Sequence, residues 1–263
     1  MLTDAHCHPA DLAGLFPGAE HERRLLGAIC AASATSLEEF AFCESLALRA
    51  KAEGAPPILP GFAAHPQMPL RRPGFNAARS VETLEELAGS GRLALIGETG
   101  FDLYDTAFRE TEAAQDALFR AHLDAALALG LPLVIHLRRA MHKIFAHTKA
   151  LSKCRAVIFH AWPGTLGEGQ ALLRRGINAY FSFGASVVLG RKESARSCAL
   201  LPAERILSET DAPFIPPRKG EFSRPADLPA TLKAIAALRA VSEKGLESLI
   251  ESNFRAAFLG EPS

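Results

Sequence analysis

The segment Asp4-Ala5-His6-Cys7-His8 places two imidazoles two positions apart, just after the apolar Leu2. Alternate side chains of an extended strand point the same way, so Asp4, His6 and His8 would share one face. Two imidazoles about 6–7 Å apart along a strand can close on one metal ion. A polar edge strand with a chance His-X-His would read the same in isolation. The chain downstream argues against that, because further apolar runs end in His65, Glu98, His136, His160 and Asp211. Neutral imidazole and carboxylate are the side chains that bind divalent cations. A single strand-end histidine is more often solvated or hydrogen-bonded than a ligand; the recurrence at successive ends carries the argument. His21, His122, His142 and His147 end no such run and are read as surface or packing residues.

The elements that would position these groups follow from periodicity. After the first strand and a loop rich in Gly and Pro, short apolar runs at 25–31, 58–65, 93–98, 131–136, 156–160, 178–183 and 205–211 read as buried strands. Helical patterns separate them. Ser36 with Glu39 forms a capping box for a helix reaching about Glu53, and Ser80 opens another. Leu118, Phe119, His122, Ala125, Ala126 and Leu129 form the stripe of a long helix that Gly130 stops. Two helices, about 226–239 and 242–258, close the chain. Eight strands alternating with helices over 263 residues match an α/β TIM barrel, read here as a single domain spanning 1–263. A doubly wound sheet is the runner-up, but only the barrel requires ligands at many strand ends, since its site is assembled at the C-terminal ends.

Composition narrows the function. Lys+Arg and Asp+Glu are both 29, so the chain is no general polyanion binder, although a local basic patch remains open. The five cysteines are odd in number and show no CxxC spacing, which fits a reducing compartment better than a disulfide framework. No apolar run reaches the ~18 residues of a membrane span, and the His-X-His motif begins within a few residues of Met1. The expectation is a cytoplasmic protein with no membrane contact, possibly a monomer.

The motifs carry a resemblance. DAHCH at 4–8, AHP at 64–66, GETGFD at 97–102, QDALFRAHLDAALALGLPLVIH at 115–136, FH at 159–160, YFSFG at 180–184, SETDAP at 208–213 and NFRAAF at 253–258 resemble, in order and spacing, the TatD family of metal-dependent hydrolases and DNases in the amidohydrolase superfamily. The resemblance implies a TIM barrel with two divalent metal ions, of zinc, magnesium or manganese type. It implies His6 and His8 as ligands of the first metal with Asp211 as the last strand's carboxylate, Glu98 as the bridge, and His136 and His160 on the second metal. A bridging carboxylate holds two cations about 3.5–4 Å apart, which polarises a phosphoryl oxygen and generates hydroxide near neutral pH. Asp211 could accept the proton of that water. His65 would either hydrogen-bond a substrate phosphate or serve structurally in the turn with Pro66.

Two stretches depart from the family pattern. Ala161-Trp162-Pro163-Gly164 follows His160 in place of a small polar pair, so Trp162 reads as a base-stacking platform or as a lid. The loop after Asp211 lacks the family's Asn-Glu, yet Arg218, Lys219 and Arg224 offer phosphate-binding charge there. The implied activity is a metal-dependent phosphodiesterase or DNase using metal-activated water, with DNA or a small phosphodiester as substrate. A hydrolase of small esters, lactones or amides is the alternative in the same fold. A non-catalytic metal-binding module would be signalled by a missing ligand, and none is missing.

Overall fold

The computed structural model describes residues 1–261. Strands β1 (Thr3–Cys7), β2 (Ile29–Ala34), β3 (Ile58–Phe62), β4 (Leu95–Asp102), β5 (Leu133–Arg138), β6 (Val157–Phe159), β7 (Ala179–Phe183) and β8 (Ile206–Ser208) form one parallel sheet in sequence order. Helices lie in every crossover between them, which is the topology of a TIM barrel. Closure from β8 to β1 runs through side chains and the residues after the strands. Ser208 Oγ donates to Thr3 O (2.7 Å), and Thr210 N and Oγ1 donate to the buried Asp4 carboxylate (2.9 and 2.6 Å). Further along, Asp211 N donates to His6 O (2.9 Å) and His8 N to Ala212 O (2.8 Å). This seam lays Asp211 beside His6 and His8.

The strands are buried on both faces. Ala5, Ile29, Leu95, Val134, Ile158 and Leu207 form one cluster, and Phe254 and Phe258 from the C-terminal segment pack into it. Outward-facing residues such as Ile96, Ile135, Val157 and Phe181 pack with the surrounding helices in the largest cluster. Among the described residues no helix is long and apolar enough to cross a membrane.

Two ladder irregularities fall at ligand positions. Between Asp4 and Cys7, and again between Ile96 and Thr99, the strand spends one more residue than its neighbour, as in a β-bulge, which re-aims a side chain. The second contains Glu98. Gly100 faces His136 in register, and a Cβ there would stand 2.0 Å from His136 O. Only glycine lets β4 approach β5 this closely.

Several boundaries differ from the sequence reading. The apolar run at 25–31 splits: Leu25 ends the helix Ala19–Leu25 and is exposed, and the strand starts at Ile29. A short apolar run cannot separate these cases by periodicity. Asn76, not Ser80, caps the helix Ala77–Gly89, accepting from Arg79 N. Ser36 does cap the helix Leu37–Ala52, but the Glu39 carboxylate reaches back to Thr35 rather than to Ser36. β4 continues beyond Glu98 to Asp102. The last helix ends at Phe254 and passes into a π-turn over Arg255–Leu259.

Candidate metal centre

His6, His8, His65, Glu98, His136, His160 and Asp211 converge at the C-terminal mouth of the barrel. His6 Nε2 and His8 Nε2 lie 3.1 Å apart, each within 3.6 Å of Asp211 Oδ1. Glu98 Oε2 stands 3.1 Å from His6 Nε2 and 3.5 Å from His8 Nε2. Donor atoms on a tetrahedral ion with bonds of about 2.0–2.2 Å stand about 3.3–3.6 Å apart. Three of these five separations fall in that range and the two at 3.1 Å lie just below it, so a small widening would seat a cation among these four atoms. The other oxygen, Glu98 Oε1, faces a second set: His136 Nδ1 and His160 Nε2 at 2.7 Å and His65 Nε2 at 3.3 Å. His160 Nε2 and His65 Nε2 are each 3.3 Å from His136 Nδ1. So many nitrogen and carboxylate lone pairs aimed at one buried space have too few protons to satisfy one another, which is the chemistry of a cation site.

Partners behind the rings fix which nitrogen is free. His136 Nε2 lies 3.2 Å from Asp102 Oδ2, so its proton belongs there and Nδ1 keeps a lone pair for the site. Gln67 Nε2 donates to the same Asp102 oxygen (2.6 Å). His65 is the reverse case. Its Nδ1 accepts from Gln67 N (3.1 Å), which leaves the proton of the neutral ring on Nε2, facing Glu98. His65 can therefore donate into the site.

These groups also shift one another's protonation. Burial opposes ionisation of Glu98, but the imidazoles of His160, His65 and His6 outweigh it and hold the carboxyl well below its usual range. Asp211 is likewise held low, against burial, by a hydrogen bond with His8 and by the neighbouring imidazoles. Burial would lower His8, yet Asp211 and Glu98 push it up to about 10; burial and the His160 charge lower His6 to about 4. Asp211 also adopts φ of +53°, a left-handed conformation that aspartate tolerates better than most residues and that recurs at functional sites.

The centre opens into a cleft of about 770 Å³ lined by His65, Gln67, Arg71, Arg72, Arg138 and Phe214 among others. Four residues expected to touch substrate lie elsewhere. Trp162 is 1% exposed, wedged against Phe159 and Phe181 with ring centroids 5.5 and 4.7 Å away. Ala161, at φ +42°, turns the chain so that the indole enters the core. It is neither a stacking platform nor a lid. Arg218 is paired with Glu221 and Asp227, and Arg224 with Glu22 while its guanidinium covers the Phe16 ring. Lys219 is exposed on the same loop, and none of the three cations lines the cleft. Of the other histidines, His122 is buried between Ala64 N and Leu118 O, whereas His21 and His142 are exposed.

The sequence reading missed other groups. Asp102 stands four residues after Glu98 on one strand, a spacing that puts both on one face, and this signal was available. Glu209, 1% exposed, accepts from Ala161 N (2.7 Å) and lies 3.9 Å from His160 Nδ1; burial pushes its carboxyl up to about 8. Arg71 and Arg72 follow the His65 strand end as a basic pair, the kind of signal read only after Asp211.

The profile of the TatD related DNase family matches residues 3–259. The chain belongs to the TatD family. It is 32% identical over 193 residues to the 3'-5' ssDNA/RNA exonuclease TatD of Cronobacter sakazakii, covering 70% of this chain and 72% of that protein. An uncharacterized metal-dependent hydrolase of Escherichia coli K12, YcfH, is 29% identical over 188 residues, covering 70% and 69%. Among solved structures, the TatD homolog YJJV of Escherichia coli K12 superposes with a TM-score of 0.85 at 23% identity, covering 98% of both chains. A TatD family hydrolase of Entamoeba histolytica gives 0.80 at 14% identity, covering 99% of this chain and 98% of that one. Both likenesses bear on the fold. The TatD barrel described here is thus a member of a metal-dependent hydrolase family, with buried His, Glu and Asp groups able to hold metal.

Proposed function

We propose that the protein is a two-metal phosphodiesterase acting on the ends of single-stranded nucleic acid; its Cronobacter sakazakii relative is named a 3'-5' ssDNA/RNA exonuclease. The observation that carries this reading is the division of Glu98, with Oε2 turned to His6 and His8 and Oε1 to His136 and His160. In this reading His6, His8 and Asp211 would hold one divalent cation and His136 and His160 the other, with Glu98 offering one oxygen to each set. The bound cations would supply charge stabilisation for a phosphoryl oxygen and the means to make hydroxide near neutral pH. His65 would hydrogen-bond a phosphate oxygen through its Nε2–H, and Asp211, held anionic by its neighbours, is the carboxylate that could take a proton from the attacking water. Asp102 keeps the His136 lone pair directed inward. The chain acts as one domain; its five buried free cysteines suit a reducing compartment.

The test is a matrix of metals and substrates on metal-stripped protein. Zinc, manganese and magnesium are supplied separately, with a labelled single-stranded oligonucleotide and a panel of lactones and carboxylic esters. Metal-dependent release of nucleotides, lost in Glu98→Gln, supports the reading. Lactone or ester turnover without oligonucleotide cleavage under any metal overturns it.

A further inference from the structure

The cleft has two unlike walls. On the β8 side, Phe214 and Ile215 are 57% and 40% exposed although both line the mouth. The turn that makes Asp211 left-handed also fixes Phe214, whose N donates to Asp211 O (2.7 Å). The Phe214 ring meets the His8 ring edge to face, with centroids 4.9 Å apart and planes at 76°. The Phe214 ring is therefore held beside a candidate ligand while much of the side chain meets solvent. Scattered exposed apolar residues are common, but two in succession on the rim of a polar metal site leave apolar area where a substrate must pass. On the opposite side, Arg71, Arg72 and Arg138 are exposed and, among the described residues, in no ion pair, unlike Arg218 and Arg224. The remaining sector of the rim is acidic, with Asp11 and Glu39, and repels a phosphate chain.

We propose that Phe214 is the platform on which a nucleobase of the strand stacks beside the scissile phosphate, with the next phosphates leaving across Arg71, Arg72 and Arg138. A nucleotide joins a flat apolar ring to an anion, which is the pairing these walls offer. An aromatic face this close to the His8 ring accepts a base only when that base is unpaired. The inference rests on the phosphodiesterase reading and adds to it the residue that sorts substrates by their bases.

The test compares single-stranded oligonucleotides that are intact or abasic at the last or the penultimate 3' nucleotide, cleaved by the metal-loaded wild type, Phe214→Ala and Phe214→Trp. Metal content is measured on each protein. In the wild type, one abasic position should lower kcat/KM by about 5- to 150-fold, the usual worth of a stacked base. Phe214→Ala should lose a similar factor on the intact strand and become indifferent to that abasic position, with metal content unchanged; Phe214→Trp should behave as wild type. Wild-type protein equally active on intact and abasic strands overturns the proposal and leaves the phosphodiesterase reading standing. Equal loss on both strands in Phe214→Ala, with lowered metal content, also overturns it, because Phe214 then acts by holding His8. Failure of the wild type to cleave any oligonucleotide rejects both readings.

Discussion

Replacing Asp102 by Asn tests whether the groups behind the ligands matter as the geometry implies. Asp102 is fully buried; Oδ1 accepts from Tyr104 N (3.1 Å), while Oδ2 meets both Gln67 Nε2 (2.6 Å) and His136 Nε2 (3.2 Å). Burial opposes its charge, but the hydrogen bonds from His136 and Gln67 prevail and lower the carboxyl to about 2. Asn is nearly isosteric and keeps the backbone pair with Gln115. Its amide can supply only one acceptor oxygen, so a donor must meet a donor either at Tyr104 or at His136. Even in the better orientation the anion that strengthens His136 as a ligand is gone. Loss of such a partner costs about 10–100-fold in metal affinity, or about 1.4–2.8 kcal/mol. The assay is competition against a calibrated chelator on metal-stripped protein, with circular dichroism as the check on folding. A folded Asp102→Asn protein that binds metal within about twofold of wild type would refute the reasoning.

Three further outcomes are expected. Burial lowers His122 to about 4 from 6.5; the unfolded chain therefore binds the extra proton, so its share of stability is full above pH ~6.5 and is lost as pH falls towards ~4, by up to about 3 kcal/mol. Urea unfolding of wild type and His122→Gln across this range checks it, and parallel curves would contradict it. Trp162→Ala should destabilise by about 3–5 kcal/mol through a core cavity; an unchanged urea midpoint with selective loss of nucleic-acid cleavage would restore the platform reading. Neutralising Arg71, Arg72 and Arg138 together should flatten the salt dependence of binding to a catalytically dead protein by up to about 2 in log–log slope, at about 0.7 per phosphate contact on a single strand. Neutralising Arg218, Lys219 and Arg224 should leave that slope near wild type, and the opposite ranking would return the phosphate path to the last loop.

The barrel and the seven candidate groups were legible because five of them close an apolar run and His6 and His8 form a His-X-His pair, local signals that tertiary contacts do not alter. The ladder irregularities were not. One extra residue in β1 and one in β4 fall at His6 and Glu98, and nothing in the one-letter sequence marks a bulge except glycines whose close neighbour lies on another strand. Loop side chains were the least legible. Arg218 and Arg224 look like free cations until the fold brings Asp227 and Glu22 against them. Trp162 looked like a mouth residue because it follows His160, but one left-handed residue reverses the direction of the chain. Phe214 directly follows the SETDAP motif and carries no signal of its own in the sequence; only the turn after Asp211 brings its ring beside His8 at the cleft.

The central claim is that Glu98 holds one cation on each oxygen. Anomalous diffraction from crystals grown with manganese or zinc, recorded on both sides of the metal edge, tests this directly. The account predicts two peaks about 3.5–4 Å apart, one touching Glu98 Oε2 with His6, His8 and Asp211, the other touching Oε1 with His136 and His160. A single peak at full metal saturation, or two peaks with Glu98 bound to only one, would contradict it.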